Sequence, residues 1–343
     1  MRVAVAGAGI YGATIALHLA RGGHAVSLFD PLGVFRAASA INQYRVHSGY
    51  HYPRSPETIR EILEAKEEFL REYREAIVRR SRHYYAIPRR GSRTPPREYE
   101  RVMSSFRLPL RKVRPPWMNF DFIDICYEVE EKLYDPAILR RLLLRRLGSG
   151  GVSFHRRPLP EDARDRFGAV VYATYGLHGG GRPLFKNVQL QVAEKILIQL
   201  PRDLERISLV VVDGPFTAFD PFGNSRRSLF GSALHTNHWK VFDLSRGLPT
   251  RYRNLLNRPG FEPVSFTHFS RMVADARKTV PLAARARYLG SRFTLRFVEY
   301  NPARDRRILR INQTGREINV FSGKVVSAVK AARLVAERID ALG

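Results

Sequence analysis

Cysteine is nearly absent, because the 343 residues include only Cys126. A single cysteine excludes an internal disulfide framework, and it excludes zinc or iron–sulfur sites that are built from clusters of cysteine. Any redox chemistry of this chain must therefore come from a bound cofactor rather than from its own thiols.

Long apolar runs are also missing. No stretch approaches the roughly 20 apolar residues that a membrane-spanning helix needs, and the N-terminus lacks a charged segment followed by a cleavable apolar one. We therefore expect a cytoplasmic protein without a membrane segment. A content of 44% hydrophobic and 11% aromatic residues predicts a globular chain with a substantial core.

Acidic residues are scarce beside basic ones, at 32 against 58, which gives a formal net charge of +26. Such an excess attracts polyanions, but the predominance of arginine also has explanations in nucleotide composition or a hot habitat. The basic stretches 89–97 and 107–114 contain prolines and little aromatic interleaving, so a nucleic-acid groove stays possible but is not indicated. We expect a small-molecule or carrier-linked substrate, anionic or not, and predict no oligomeric state.

A β-α-β pattern fills the first thirty residues. Residues 3–6 are apolar and are followed at once by glycines, and residues 10–20 form helix with apolar residues at helical spacing. Gly22 and Gly23 end this helix, and residues 25–29 alternate into a second buried strand. The pattern predicts a dinucleotide-binding unit.

The turn of this unit reads G-x-G-x-x-G, and each glycine has its own task. The first permits the tight turn, the second lets the backbone approach a pyrophosphate, and the third lets the helix pack close to the sheet. Amides at the helix start attract phosphate, and the acid ending the second strand can accept hydrogen bonds from a ribose diol. The predicted cofactor contacts here are Gly7, Gly9, Ile10, Tyr11, Gly12 and Asp30.

The glycine loop alone does not choose between NAD and FAD. A nicotinamide dehydrogenase usually continues through regular β-α repeats, whereas this chain continues into an irregular segment and later a strand-rich region, residues 188–298. We predict an α/β fold: a Rossmann-like, glutathione-reductase-like FAD-binding domain with an inserted, largely antiparallel β-sheet substrate domain. The FAD-binding domain would comprise residues 1–80, 135–180 and 300–343, and the cap would comprise residues 81–134 and 181–299.

A longer similarity lies in residues 38–55, ASAINQYRVHSGYHYPRS, which contain the pattern R-x-H-x-G-x-H-Y-P-R-S. Residues 171–176 (VYATYG), 213–216 (DGPF) and 321–324 (FSGK) add further landmarks. With these motifs the chain resembles the D-amino-acid-oxidase superfamily of FAD-dependent oxidoreductases, which includes glycine oxidase and sarcosine oxidase, and within it a bacterial branch that carries the pattern. The resemblance implies FAD, and the lack of the histidine and cysteine patterns for covalent attachment implies that FAD is non-covalent.

The resemblance also implies further cofactor contacts. One group would lie along the pyrophosphate and the ribityl chain, a second would return the chain to the cofactor after a strand, and a third would begin the last helix at the flavin pyrimidine end. These three groups are Ser39, Asn42 and Arg45; Ala173, Thr174 and Gly176; and Ser322, Gly323 and Lys324.

His47 and His51 stand four residues apart among tyrosines and arginines. Histidine titrates near working pH, so either could act as a general base or hold a substrate carboxylate. The alternative is that both only hydrogen-bond FAD or neighbouring loops. Our candidates for catalysis are His47, His51 and Arg45, with Tyr50 and Tyr52 as candidate substrate contacts.

A second histidine pair, His235 and His238, has a spacing that suits a metal, but no carboxylate or cysteine lies nearby in sequence. We therefore predict no metal, and we expect His235 to line the substrate cavity from the end of a strand. Asp213 and Asp220 flank a predicted turn and are expected to form it rather than to take part in catalysis.

These motifs lead to one principal hypothesis about function, which is hydride removal from the C–N bond of an amine or amino-acid-like substrate to flavin N5, giving an imine. An alternative flavoenzyme would act on a larger anionic substrate, such as a carrier-tethered aminoacyl group, a nucleotide sugar or a tRNA base. A third reading is a protein that binds FAD without turnover.

Overall fold

The predicted N-terminal unit forms as expected in the computed structural model, which describes residues 1–175, 187–242, 247–301 and 303–343. Strand β1 (Arg2–Ala6) leads into helix α1 (Ile10–Arg21), and β2 (Ala25–Phe29) follows. The two strands pair in parallel, from Arg2 beside Ala25 to Ala6 beside Phe29.

The remaining elements follow in chain order. The helices are α2 (Pro56–Glu72), α3 (Pro96–Ser105), α4 (Pro136–Ser149), α5 (Ala163–Arg166), α6 (Thr250–Arg253), α7 (Phe269–Thr279) and α8 (Ala328–Asp340). The strands are β3 (Arg45–Val46), β4 (Arg82–Pro88), β5 (Arg111–Val113), β6 (Ile123–Val129), β7 (Lys132–Leu133), β8 (Ser153–His155), β9 (Ala169–Tyr172), β10 (Val188–Gln199), β11 (Ile207–Val211), β12 (Thr217–Pro221), β13 (Ser228–Ser232), β14 (Asn237–Val241), β15 (Arg287–Glu299), β16 (Arg310–Thr314) and β17 (Glu317–Phe321).

Two large sheets organise the molecule. A six-stranded sheet has the order β16-β17-β9-β1-β2-β8, in which only the edge strand β16 runs antiparallel to its neighbour. This mixed α/β arrangement with a parallel Rossmann-like sheet is the predicted FAD-binding fold. Helix α8 packs beside α1 on it, and the buried side chains of α1, α2 and α8 belong to one apolar core.

The second sheet has nine strands, in the order β14-β10-β13-β12-β11-β4-β6-β5, with β15 beside β10. Its pairings are antiparallel, as predicted, apart from the parallel pair β4 and β11. Its strands come from residues 82–129 and 188–299, and the division into an FAD-binding domain and a cap stays a prediction. Two short strands, β3 and β7, pair separately.

The two faces of the nine-stranded sheet have different neighbours, because successive side chains of a strand point to opposite faces. Phe219 and Phe230 belong to an apolar cluster with Met272 of α7, so this face is the outer one. Val210 and Leu229 lie on the opposite face and join the core of the FAD-binding sheet. Polar side chains on this inner face therefore lie between the two sheets.

Three local expectations need correction. The amphipathic pattern of residues 56–80 predicts one long helix, but α2 ends at Glu72 and is followed by a short 3-10 turn, Arg74–Ala76. Strand β6 was not predicted. The last helix begins at Ala328 rather than at Gly323 or Lys324, since a 3-10 turn, Val325–Ser327, precedes it and donates the Ser327 hydroxyl to Glu61 of α2 at 2.6 Å.

Within the described residues, no helix combines the length and the apolar character that crossing a membrane requires.

Candidate active site

The glycine loop has the geometry that its motif predicts. Gly7 has a φ of +93°, and a Cβ there would lie 2.6 Å from the carbonyl oxygen of Ala173. A Cβ on Gly12 would lie 1.8 Å from the Gly7 carbonyl oxygen. Side chains at these positions are therefore sterically excluded, and the loop brings backbone against backbone.

The start of α1 offers amides to an anion. The first helical hydrogen bond runs from the Ala13 amide to the Gly9 carbonyl at 3.0 Å, so the amides before it have no acceptor within the helix. The Ile10 amide donates to the Ser39 hydroxyl at 2.9 Å, and a Cβ on Gly9 would lie 2.8 Å from the same oxygen. Ser39 thus lies at the helix terminus where phosphate is expected.

Asp30 ends β2 and shapes the loop beside it. Its carboxylate accepts the amide of Ala8 at 2.8 Å, of Leu32 at 2.8 Å and of Gly33 at 3.1 Å. The residue remains half-buried, and two carboxylate oxygens have about four acceptor positions. The Asp30 carboxylate can therefore accept a further hydrogen bond from a ribose hydroxyl, and that contact stays a prediction.

Two later segments return to the glycine loop. Ala173 follows β9 and donates its amide to the Ala6 carbonyl at 2.8 Å, with Thr174 next to it; the predicted Gly176 lies outside the described residues. The Tyr11 hydroxyl of α1 donates to the Lys324 carbonyl at 2.5 Å. A Cβ on Gly323 would lie 2.6 Å from the Ile308 carbonyl carbon, so Ser322–Lys324 passes against backbone as well.

These features fit a dinucleotide such as FAD. The loop is free of side chains where a pyrophosphate would approach, helix amides face that place, and an acid stands at the ribose end. The cradle that we predict comprises four segments of the chain: residues 7–12, Asp30, residues 173–174 and residues 322–324.

Asn42 organises its own segment. Its side-chain amide donates to the Ser39 carbonyl at 2.8 Å, and its oxygen accepts the Tyr44 amide at 2.6 Å and the Tyr134 hydroxyl at 3.1 Å. The predicted contact with the ribityl chain remains untested, whereas these bonds show that Asn42 holds residues 39–44 in shape.

Arg45 lies at the centre of a buried ion network. Its guanidinium contacts a Glu131 oxygen at 2.6 Å and an Asp220 oxygen at 2.6 Å, and it donates to the Ser208 hydroxyl at 2.7 Å. Burial opposes the charge, but Asp220 and Glu131 outweigh that effect and hold the pKa of Arg45 above its ordinary value. The guanidinium is thus committed to two carboxylates, which speaks against the catalytic role that we expected.

The sequence did not reveal these carboxylate partners. Asp220 was expected to form a turn, but it lies in β12 and is fully buried. Glu131 lies 86 positions from Arg45 and also accepts the Ser48 amide at 2.9 Å. The only sequence signal for its buried position is the alternation of side chains along a strand, which places Asp220 on the inward-facing side.

The candidate histidines lie together. The ring centres of His47 and His51 are 5.6 Å apart, and the ring of Tyr52 lies 5.7 Å from that of His47 and 5.0 Å from that of His51. The Lys324 ammonium stands 4.3 Å from the centre of the Tyr52 ring. We call these four residues the histidine cluster.

Both histidines are neutral at neutral pH. Burial, helped by the charge of Lys324, lowers the pKa of His47 to about 4. Burial and the neighbouring His47 place the pKa of His51 well below its ordinary value. The His47 Nδ1 atom lies 3.6 Å from a Glu131 oxygen, and this carboxylate favours a proton on His47.

Two buried lysines complete this region. Sequence reasoning missed Lys195 on the inner face of the nine-stranded sheet and predicted Lys324, which follows β17, as a cofactor contact. Lys195 of β10 is 5% exposed, and burial lowers its pKa to about 7. A Cβ added to Gly231 would lie 3.5 Å from the Lys195 Nζ atom and 3.0 Å from the Gln43 Nε2 atom. Burial also lowers the pKa of Lys324 to about 7. Among the described residues, neither amine has a carboxylate partner in an ion pair.

Two expected substrate contacts lie elsewhere. Tyr50 is fully buried, and its hydroxyl donates to the Pro109 carbonyl at 3.1 Å. His235 follows β13 and contacts Asp275 of α7 at 2.9 Å, on the outer face of the nine-stranded sheet. The hydroxyl of Tyr50 is thus already bonded and His235 is on the wrong side of the sheet, so we no longer assign either residue to the substrate.

Residues 2–177, about half of the chain, match the family described as "DAO: FAD dependent oxidoreductase". The chain belongs to the DAO family of FAD-dependent oxidoreductases. It is accordingly an enzyme of the FAD-dependent oxidoreductase class, and FAD is the cofactor for which the cradle is built.

Curated relatives are flavoproteins too. FAD-dependent monooxygenase kojA of Aspergillus flavus is 38% identical over 87 residues, which is 25% of this chain and 20% of the relative. The matched part thus spans about a fifth of that protein's length. FAD-dependent monooxygenase FPY4 of Fusarium mangiferae is 24% identical over 352 residues, covering 98% of this chain and 90% of the relative.

Solved structures show the same fold at low identity. Glycine oxidase of Geobacillus kaustophilus superimposes with a TM-score of 0.70 at 13% identity, covering 99% of this chain and 95% of that one. L-amino acid deaminase of Proteus myxofaciens gives 0.68 at 12%, covering 99% and 90%. Dithionite-reduced L-alpha-glycerophosphate oxidase of Mycoplasma pneumoniae, with FAD bound, gives 0.70 at 12%, covering 99% and 94%.

Proposed function

We propose that this enzyme removes a hydride from the C–N bond of an amine or amino-acid-like substrate and releases an imine, with FAD held non-covalently. The observation that carries the proposal is the pair of neutral histidines beside the cofactor cradle, of which His47 is backed by the Glu131 carboxylate. Bound FAD supplies the hydride acceptor. The protein has to bind, orient and deprotonate the substrate.

His47 is the candidate proton acceptor. An amine reaches the enzyme largely as an ammonium ion, and it must lose a proton before its carbon can release a hydride. A neutral imidazole can take that proton, and the Glu131 carboxylate 3.6 Å from Nδ1 stabilises the imidazolium that results. Arg45 acts through Glu131, because its guanidinium holds this carboxylate at 2.6 Å, and is a positioning residue.

Several structural neighbours are named for amine or amino-acid substrates. Among them are iminodiacetate oxidase of Chelativorans sp. BNC1 and L-proline dehydrogenase of P. horikoshii, besides glycine oxidase and L-amino acid deaminase. Their low identity to this chain, 12–15%, carries the fold and not the substrate. We use them only to choose the first compounds to test.

Anaerobic mixing tests the proposal directly. Purified protein should show a flavin spectrum, and one or more amines or amino acids should bleach it under exclusion of oxygen. Hydroxy acids serve as the comparison class, since they present a C–O bond in the same position. If hydroxy acids alone bleach the flavin, or if no compound of either class does, the proposed reaction is wrong.

The curated relatives favour a second candidate, since FPY4, which aligns over nearly the whole chain, is named a monooxygenase. Oxygen labelled with the heavy isotope separates the two reactions. A monooxygenase places labelled oxygen in the product, whereas an oxidase leaves the product unlabelled.

The charge favours a larger anionic substrate as a variant of the proposal. The net charge is +26, and Lys195 and Lys324, which have no carboxylate partner within the described parts of the chain, would attract an anionic group between the sheets. Carrier-tethered aminoacyl groups, nucleotide sugars and tRNA are therefore included in the mixing experiment. Pull-downs with RNA and carrier proteins at graded salt accompany it, and binding that stays at the nonspecific level removes this variant.

A further inference from the structure

The histidine pair at residues 235–238 acquires a carboxylate in three dimensions. Glu194 of β10, His238 of β14 and His268, just before α7, each present one ligand-type atom, and these atoms lie within 4.8 Å of one another. Glu194 and Lys195 are successive residues of one strand, so Glu194 faces outward, away from the histidine cluster. The group is thus separate from the proposed active site.

Glu194 is held in the manner of a metal-binding carboxylate. One oxygen accepts the hydroxyl of Thr267 at 2.6 Å and also that of Ser291. The other oxygen lies 2.7 Å from His238 Nε2. Ligating carboxylates are usually oriented by such hydrogen bonds. The first oxygen is therefore fixed, and the second faces the imidazoles.

His268 shows the second hallmark of a ligand. Its Nδ1 atom lies 2.8 Å from the His235 carbonyl, to which it donates. A ring that donates one N–H to a carbonyl keeps a lone pair on its other nitrogen, and metal-ligating histidines are commonly fixed in this way. The Nε2 atom of His268 is thereby left with a lone pair.

The two imidazoles are stacked on each other. The ring centres of His238 and His268 lie 3.7 Å apart, and the two ring planes make an angle of 6°. Zinc bonds of about 2.0–2.1 Å in a tetrahedron separate two ligand atoms by roughly 3.4 Å. The lone pair of each ring nitrogen lies in the ring plane. A shared ion therefore requires the two rings to turn out of the parallel stack, so that their nitrogens converge on the ion while their ring centres move apart.

We propose that Glu194, His238 and His268 bind a divalent transition metal, with zinc as the ion whose preferences they match best. Two imidazoles and a carboxylate are a known zinc donor set, and a water molecule completes the tetrahedron. The ion would join β10, β14 and the start of α7. Our expectation of no metal rested on neighbours in sequence alone, and Glu194 lies 44 positions from His238.

The test uses full-length, tag-free protein with its flavin, stripped of metal by a chelator and then titrated with Zn²⁺ against a chromogenic competitor. Elemental analysis after dialysis should give one zinc per chain. His268→Ala should weaken the affinity at least tenfold. His235→Ala is the matched control, because its ring pairs with Asp275 at 2.9 Å and its carbonyl survives the substitution. That variant should bind zinc as the parent protein does.

Substoichiometric zinc in the parent protein, or equal affinities for the parent and His268→Ala, overturns the proposal. Glu194→Gln provides a second reading, because Gln keeps the acceptor for Thr267 but loses the charge, and it should also weaken binding at least tenfold. Co²⁺ titration adds a spectroscopic check, since tetrahedral Co²⁺ absorbs strongly in the visible range and the His268→Ala protein should lose that band.

Discussion

The glycine loop and the nine-stranded sheet build their sites from different parts of the chain. The loop uses backbone: its amides, its missing side chains and one acid lie within residues 7–30. The inner face of the sheet uses side chains, and Arg45 meets Glu131 and Asp220 across long stretches of sequence. Sites of the first kind are specified locally, whereas those of the second kind exist only after folding.

Substituting the loop should have the largest effect. In Gly12→Ala the new Cβ would lie 1.8 Å from the Gly7 carbonyl oxygen, and backbone cannot yield there. We expect the protein to lose its yellow colour on purification, or to fail to fold. Flavin content per chain, measured by absorbance, reports the outcome.

Gly148→Ala is the matched control. A Cβ at Gly148, in the last turns of α4, would meet nothing within 4 Å. Alanine favours helix over glycine by about 1 kcal/mol, so this variant should keep its flavin. Normal flavin content in Gly12→Ala would show that backbone proximity does not define the loop.

Sequence reasoning succeeded at the loop for a physical reason. The turn, the helix start and the strand-end acid are set by residues close in sequence, so spacing alone predicts the β-α-β unit with Gly7, Gly9 and Gly12 in place. Elements with clear periodicity, such as α1 and β9, were predicted in the same way. The start of α8 was not, because the Ser327 hydroxyl in the turn before it meets Glu61 only in the folded chain.

Breaking the side-chain network should destabilise the fold strongly. Arg45→Met leaves Glu131 and Asp220 buried without their shared cation, and losing one partner of a buried ion pair typically costs about 3–5 kcal/mol of unfolding free energy. Arg82→Met is the control, since this arginine is 63% exposed and pairs with Glu128 at the surface. It should lose at most about 1 kcal/mol. If urea unfolding showed the same loss of unfolding free energy in both variants, the buried ion pairs would contribute no more than the surface pair.

The sequence could not predict this network. Asp220 precedes Pro221 and Phe222 in a stretch that has turn character, yet it belongs to β12 because β11 and β13 pair on either side. Burial of an acid is favourable only when a cation meets it. That cation comes from β3, in the irregular segment that precedes α2.

The histidine cluster offers a kinetic test of the same contrast. His47→Asn should lower the rate of flavin reduction by about 10²–10⁴ with little change in flavin content, if His47 accepts the substrate proton. Its lowered pKa, about 4, keeps the ring neutral at higher pH, so the acid limb of the free enzyme due to His47 should fall near pH 4 rather than 6.5. His18→Asn, in the last turn of α1, should behave as the parent enzyme does. An unchanged reduction rate in His47→Asn would reassign the base to His51 or to solvent.

Lys195 should give the smallest effect, and one that depends on pH. Burial lowers its pKa from 10.5 to about 7, so between these values the unfolded chain binds more protons than the folded one and stability rises with pH. The buried amine is therefore unfavourable at pH 7, and Lys195→Met should stabilise the fold there by about 1–3 kcal/mol. The gain should shrink as the pH rises from 7 toward 10.5, and only above 10.5 do both states lose the charge. Lys240→Met on exposed β14 should show no such trend, and a pH-independent gain in Lys195→Met would mean that methionine packing rather than the charge explains it.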